Sequence, residues 1–255
     1  MEHRKTSGEP SFYKNHERFN DGAYYLVSND YLLEPLKIKE FSLYQLGRRF
    51  CKESAIIPRH AHLNWFELPV VTGGKGTIYS NGENLPVKEG DIYLSFPADQ
   101  HGIVSDSALP LKYDFLAFYL DSGQLLEEFE SLMVDFHNPK SRLFSDGKIA
   151  YCLGSAIEEL GGNEFLSKAV LLSILRQIAV YTLRDFRQDN KKDRLPKNRS
   201  EILCYKIMNY IDSHLYSLKT LANLESLLNY NLSYISTLFK KTTGGTLNDY
   251  FRRKK

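Results

Sequence analysis

The feature that most constrains the fold is a change in hydrophobic periodicity near residue 121. From residue 23 to 120, short runs rich in Val, Ile, Tyr and Phe alternate with Gly, Asn, Asp and Pro, which is typical of antiparallel strands joined by tight turns. Asn81-Gly82 between two such runs predicts a hairpin, because this turn requires positive φ. After residue 122 the apolar spacing becomes helical. This order predicts an α+β chain that begins with an antiparallel sandwich or barrel.

Three helical segments are predicted before a polar break. They cover residues 124–136, 149–160 and 165–186. In the first, one face collects the apolar side chains Leu125, Phe129, Leu132, Met133 and Phe136. The third is long, and its apolar residues cover more than one stripe, so we expect it to pack on two sides. A core helix and a dimer interface are equally good interpretations of that second side.

A charged stretch at 188–200, which contains Pro196, predicts a linker. The charge changes sign there. The part from Lys191 to Lys255 has 13 Lys/Arg and 5 Asp/Glu, a net charge of +8, which leaves −6 for residues 1–190. A basic segment attracts a polyanion such as DNA. We therefore divide the chain into a flexible arm (1–22), a sheet-and-helix domain (23–187), the linker (188–200) and a helical unit (201–255).

Cysteine usage and hydropathy indicate a cytoplasmic protein. Cys51, Cys152 and Cys204 are far apart and form no CxxC pair, which argues against disulfides and thiolate zinc sites and fits a reducing compartment. The N-terminus has no apolar signal-peptide core, and no run of about 18 apolar residues predicts a membrane span.

The basic C-terminal unit predicts three short helices. The first, 202–215, is amphipathic; Thr220 is expected to cap the second (221–228) and Asn231 the third (232–242). The break between the last two has the length of a helix-turn-helix. The residues expected to meet DNA are Asn231, Ser233, Tyr234, Ser236, Thr237, Lys240 and Lys241, since hydroxyls can bond base edges and lysines can reach phosphates. Spacing alone fits a plain three-helix bundle equally well.

The stretch from Tyr210 to Lys255 resembles the first DNA-binding subdomain of AraC/XylS-type transcriptional regulators. The carriers are the run NYNLSYISTLFKK at 229–241, Thr243-Gly244, Thr246-Leu247 and Asp249-Tyr250. The resemblance implies that 231–241 is the recognition helix, with positions 233, 236 and 237 facing bases and Lys240 and Lys241 near the DNA backbone.

The resemblance is incomplete in two respects. Glu225 stands where the family has a small residue, so its carboxylate must point outward or be paired. The family also has two such subdomains, and this sequence ends inside the helix that would join them. We therefore expect a C-terminally truncated regulator, either a fragment or a natural short form. Its single reading head would bind DNA weakly unless a dimer supplies the other.

A second constellation lies in the strand region. His60 and His62 are two residues apart on a predicted strand and so share a face; Glu67 can reach that face after a turn or bulge, and His101 comes from a later strand. Three imidazoles and a carboxylate can hold Zn²⁺, Fe²⁺, Ni²⁺ or Mn²⁺. A ligand pocket and a hydrogen-bonded structural cluster are the alternatives.

These residues resemble the two motifs of the cupin (jelly-roll-like) fold. The second motif, Pro97 to His101, is one residue shorter than in metal-binding cupins, which is typical of AraC-type sensor domains. The resemblance implies a small-molecule effector, with a sugar as the family-level expectation. Trp65 either stacks on that effector or packs in the core. The expected effector-binding residues are His60, His62, Trp65, Glu67 and His101.

Together these patterns predict a DNA-binding transcriptional regulator that responds to a small molecule. Its expected partners are promoter DNA, the effector and a second copy bound through helices 149–187; we expect no enzymatic activity and no required cofactor. One alternative is a cupin-type metal-dependent enzyme with an accessory helical tail, which leaves the basic tail unexplained. Another is a regulator that dimerises and acts without binding DNA.

Overall fold

The computed structural model describes residues 22–25, 34–162, 164–188, 199–213, 218, 220–228 and 230–254. The predicted arm, apart from Gly22, and most of the predicted linker lie outside these residues. Within the described part of the chain, no helix is both long and apolar enough to cross a membrane.

Two antiparallel sheets form the first part of the fold. A seven-stranded large sheet has the order β1-β3-β10-β5-β8-β11, with β2 paired to β3, and a four-stranded small sheet has the order β4-β9-β6-β7. The strands are β1 (Gly22–Tyr25), β2 (Leu36–Ile38), β3 (Phe41–Phe50), β4 (Ile56–Ala61), β5 (Phe66–Gly73), β6 (Lys75–Ser80), β7 (Glu83–Lys88), β8 (Ile92–Tyr93), β9 (Gln100–Ser105), β10 (Lys112–Leu120) and β11 (Leu143–Phe144).

The two sheets pack against each other through the apolar residues of their alternating strands. Their shared core includes Val71, Tyr93 and Phe115 from the large sheet and Ile78 and Ile103 from the small one. This confirms the predicted antiparallel sheets, and closure of the sheets into a barrel stays a prediction. The predicted hairpin is also present: β6 and β7 meet at Asn81 and Gly82, whose φ angles are 44° and 92°.

Helices cover the other face of the large sheet. Their apolar faces join Phe66 and Phe118 of the strands in one core. The predicted face of the first helix is correct, since Phe129, Leu132 and Met133 are buried. These elements are α1 (Gln124–Asp135), a 3-10 helix (Pro139–Arg142), α2 (Gly147–Gly162) and α3 (Ser167–Gln188).

The described residues of the C-terminal part, from 199 on, contain four helices. They are α4 (Arg199–Ser213), α5 (Asn223–Leu228), α6 (Leu232–Thr243) and α7 (Leu247–Lys254). Their core includes Ile207, Ile211, Ile235, Phe239 and Leu247. Residues 229–231 separate α5 from α6, which is the break expected from the sequence. These helices therefore form a small unit with an apolar core of its own.

The start of α5 differs from the prediction. Thr220 is not its cap, because the helix begins at Asn223 and residues 221 and 222 form a turn. The Thr220 hydroxyl instead donates to the Asn223 side chain at 3.2 Å. This side-chain hydrogen bond lies in the turn before α5, and the helix begins two residues later than predicted.

Candidate functional site

His60, His62, Glu67 and His101 converge at one end of the small sheet. Strand β4 delivers His60 beside its register partner His101 on β9, and His62 follows directly after β4. The turn at residues 62–65 brings Glu67 of β5 back to the same place. The imidazole centroids lie 4.6–5.4 Å apart. The structure therefore brings these four residues together, and their role as metal or effector ligands stays a prediction.

Glu67 is the centre of the cluster. Its Oε2 lies 3.1 Å from Nε2 of His101 and 3.5 Å from Nε2 of His62. Burial alone would raise the pKa of Glu67, but His101, His62 and His60 outweigh it and lower that pKa to about 2. Glu67 is consequently an anion at any physiological pH.

The pKa values of the two histidines beside Glu67 are shifted in opposite directions. Burial, together with the charges of His101 and His60, lowers the pKa of His62 to about 4 against the opposing pull of Glu67. His101 is also buried, which lowers its pKa, but the charge and hydrogen bond of Glu67 prevail and the net pKa is raised. The geometry thus pairs a neutral His62 and an imidazolium-prone His101 with one carboxylate.

Backbone carbonyls orient two of the rings. His101 Nδ1 lies 3.3 Å from the Asp99 carbonyl and His60 Nδ1 lies 2.7 Å from the Pro58 carbonyl. A carbonyl only accepts, so each Nδ1 carries a hydrogen and Nε2 is the atom left for a metal. At His101 a metal would displace the proton through which Nε2 bonds Glu67. Such fixed tautomers are what metal-binding histidines require.

The four ligand atoms can surround a divalent metal once the side chains move closer together. They lie within 4.8 Å of one another. Two donors bound at about 2.1 Å to one tetrahedral Zn²⁺ are about 3.4 Å apart, so the most distant pair would need to close by more than about 1 Å. The nitrogen and carboxylate donors suit Zn²⁺, Fe²⁺, Ni²⁺ or Mn²⁺.

Trp65 packs within the cluster rather than facing an open space. Its indole stacks on Tyr44 at 4.3 Å on one side and on His62 at 4.4 Å on the other. Both ring faces are therefore covered in this structure. Of the two interpretations of Trp65, core packing is the one that these contacts favour.

Sequence reasoning missed the pair that supports His101. The Asp99 carboxylate and the Arg142 guanidinium form an ion pair with no exposed side-chain surface. Asp99 also accepts from the Phe96 amide at 2.7 Å, and the guanidinium lies over the Phe96 ring at 4.4 Å. Asp99 and Arg142 are 43 positions apart, so no local pattern predicts their contact. The signal nearest to the pair is the Pro97–His101 motif, which contains Asp99. The pair fixes the loop whose Asp99 carbonyl holds His101.

The other predicted site residues lie together on α6. Asn231 is the N-cap, as predicted, and its side chain accepts from the Ser233 amide at 2.8 Å. Exposed side chains on this helix are Ser233, Tyr234, Thr237, Lys240 and Lys241, while Ser236 is half-buried. The helix thus presents hydroxyls at its start and lysines at its end. This cluster of polar side chains is separate from the histidine cluster.

Comparison with known proteins identifies the first part of the chain. Residues 42–179 match the family described as AraC-like ligand binding domain. No curated protein sequence matches the chain.

Three solved structures that match this chain have low sequence identity to it. The AraC-like transcriptional activator CuxR is 12% identical, with 86% of this chain and 77% of that chain covered and a TM-score of 0.46. A cupin protein from Bacteroides fragilis is 20% identical over 41% of this chain and 81% of its own, with a TM-score of 0.33. A predicted oxalate decarboxylase from Thermotoga maritima is 17% identical over 41% and 94%, with a TM-score of 0.30.

The family match covers more than half of the chain and includes the small sheet, most of the large sheet, the histidine cluster and most of the helices behind the large sheet. The chain therefore belongs to the AraC-like ligand binding domain family.

Proposed function

We propose that this protein is a small-molecule-responsive transcriptional regulator that binds promoter DNA through α6. One observation carries the proposal: a capped helix with exposed hydroxyl and lysine side chains lies in the same chain as an AraC-like ligand binding domain. Asn231 fixes the start of this helix, and Gly244, at φ 78°, ends it. Residues Ser233 and Thr237 then face base edges, and Lys240 and Lys241 meet phosphates.

The test is a mobility shift with the full chain and the promoter beside its own gene, repeated over a series of salt concentrations. Each lysine–phosphate contact contributes about 0.9 to the slope of log affinity against log salt. We expect K240A/K241A to lower that slope by about 2, and K88A/K112A, which removes two exposed lysines of the sheets, to leave it unchanged. Binding that neither pair alters would contradict a role for α6.

The histidine cluster is the effector site in this proposal. It offers the Glu67 carboxylate as an acceptor and the partly exposed imidazoles of His60 and His62, with His101 bonded to Glu67 behind them. Convergent polar groups beside an apolar core are typical of small-molecule sites. Binding there alters promoter affinity only as far as the effector prefers one arrangement of the two parts of the chain.

A metal-dependent enzyme is the second candidate, favoured by the fit of His60, His62, Glu67 and His101 to a divalent ion. A bound ion would supply a Lewis acid that polarises a substrate oxygen. The test is elemental analysis of protein purified without chelator, with H60A/H62A as the comparison. Stoichiometric metal that this double variant loses would support a metal centre. Metal-free protein that still shifts the promoter would support the regulator and contradict the metal-dependent enzyme.

A further inference from the structure

A cavity of about 610 Å³ lies between the sheet domain and the C-terminal helices. The large sheet contributes Tyr44 and Tyr119 to its wall, and α1 contributes Glu127 and Glu130. On the other side are Lys206 of α4 and Tyr230, which lies just before α6. This volume falls within the range of small-molecule sites. The cavity is separate from the histidine cluster, although Trp65 lies between Tyr44 on its wall and His62.

The cavity already holds a cation of the protein itself. The Lys206 ammonium lies 3.1 Å from a Glu130 carboxylate oxygen and 6.0 Å from the centre of the Tyr119 ring. Carboxylate and aromatic face together form a binding place for an ammonium group. Both residues of the ion pair are mostly buried, which strengthens their interaction.

The charges around this ion pair favour positive ligands. Among the described residues that line the cavity, three carboxylates, those of Asp121, Glu127 and Glu130, face one ammonium, that of Lys206. Asp121 is paired with Lys37 at 2.9 Å. Among the described residues, Glu127 has no ion-pair partner. Burial, with Glu130 and Asp121, raises the pKa of Tyr119 to about 12, so its ring stays neutral beside the Lys206 ammonium.

The start of α1 opposes this preference, because Ser122 and Gly123 line the cavity and no side chain caps the helix there. Helix N-termini favour anions. Glu127, in the first turn of the same helix, offsets that effect. Apolar side chains complete the wall, among them Leu63, Leu126 and Leu203.

We propose that this cavity binds a small organic cation, an ammonium carrying an apolar or aromatic body, which competes with Lys206 for Glu130 and Tyr119. Such a ligand would release α4 from α1. It would also meet Tyr230, whose ring stacks on Tyr234 of α6 at 5.4 Å. Occupation of the cavity is thereby linked to the position of the helix proposed to read DNA.

The first experiment compares three probes with one ring and different charge: phenethylamine, 2-phenylethanol and phenylacetate. Binding to the full chain is followed through Trp65, the single tryptophan, which stacks on the cavity residue Tyr44. We expect saturable binding of phenethylamine, with 2-phenylethanol weaker by about fivefold and phenylacetate weaker still. Equal affinities, tighter phenylacetate binding, or no saturable phenethylamine signal would overturn the proposal.

The second experiment uses variants of the competing ion pair. K206M removes the internal competitor and should raise phenethylamine affinity by about two- to fivefold, a gain that misfolding cannot produce. E130Q should lower it by about fivefold. The matched control is E128Q, on the same helix, since Glu128 pairs with Arg187 instead of lining the cavity. Unchanged affinity in K206M, or an equal loss in E128Q, would refute the competition. No DNA is present, so failure here leaves the regulator proposal untouched.

Discussion

At the scale of single residues, the Asp99–Arg142 pair determines how firmly the candidate site is held. Neither side chain is exposed, and Asp99 also accepts hydrogen bonds from the Phe96 amide and from Asn81 at 2.8 Å. The pair lies two residues from His101, whose ring is oriented by the Asp99 carbonyl. A buried ion pair is costly to break because the remaining charge stays in the protein interior.

We therefore expect R142M to lower the free energy of unfolding by about 3–5 kcal/mol. The double variant R142M/D99N should lose less, because it leaves no uncompensated charge. Urea unfolding of both variants measures the difference. The surface pair of Lys75 and Asp106, at 3.6 Å, gives the control: K75M should cost less than about 1 kcal/mol. Equal losses in R142M and K75M would show that the buried pair has no special weight.

His62 should make stability depend on pH. Its pKa is about 4 in the folded protein against 6.5 in the unfolded chain, so between these values the unfolded chain binds more protons. Stability therefore falls as the pH falls from about 6.5 to about 4. Glu67 does not contribute in most of this window, because its stabilising effect is lost only between pH 4.5 and about 2.

The measurement is urea unfolding of wild type and H62Q at pH 6.5 and 4.5. The wild type should lose about 2 kcal/mol more than H62Q over this interval, at about 1.4 kcal/mol per pH unit before solvent access to the ring is discounted. Parallel pH profiles for the two proteins would mean that His62 is not held in its neutral form.

At the scale of elements, the turn between α5 and α6 is held by two side chains. Asn231 accepts from the Ser233 amide, and Glu225 of α5 accepts from the Leu232 amide at 2.6 Å. Glu225 is exposed and paired, as the sequence argument required of a carboxylate at this position. Two of the backbone donors at the start of α6 are thereby satisfied from opposite sides of the turn.

Removing either cap should loosen the start of α6. We expect E225A and N231A each to cost about 1 kcal/mol. Amide hydrogen exchange separates their effects: Leu232 should exchange faster in E225A and Ser233 in N231A, because each amide loses its own acceptor. E225Q keeps an acceptor oxygen and is the control for charge. Protection of both amides in both variants would contradict the capping roles.

Local patterns predict these elements better than they predict the contacts between them. The Asn81-Gly82 turn, the buried face of α1 and the histidine cluster follow from spacing along the chain, since neighbouring side chains share a face. The Asp99–Arg142 pair and the contact of Lys206 with Glu130 do not. Those depend on distant residues that meet only after packing, so no local period encodes them.

At the scale of the whole molecule, the sheet domain and the C-terminal helices meet through few polar contacts. Lys206 of α4 pairs with Glu130 of α1, and Tyr205 of α4 lies edge-on to Phe96 at 6.4 Å. Phe96 is also the ring beneath Arg142. Two neighbouring residues of α4 therefore contact the support of the histidine cluster and the cavity wall. A ligand at either place would reach the helical unit through α4.

A second copy of the chain is the remaining partner that the proposed regulator needs. At the start of α3, Phe165 is 90% exposed, and Leu166 and Val170 are exposed beside it. Contiguous apolar surface of this kind is typical of interfaces. The other face of α3 is buried, with Leu171 and Leu175 in the core, so the helix packs on one side and offers the patch on the other.

We expect the wild-type chain to sediment as a dimer and F165S/V170S as a monomer, because the substitutions remove apolar area only from the exposed patch. Both side chains are exposed, so the free energy of unfolding of the monomer should change little. Sedimentation velocity over a concentration series makes the measurement. L109S, which removes an exposed apolar side chain from the loop before β10, is the control and should remain dimeric. A monomeric wild type, or a dimer that persists in F165S/V170S, would show that this patch is not a dimer interface.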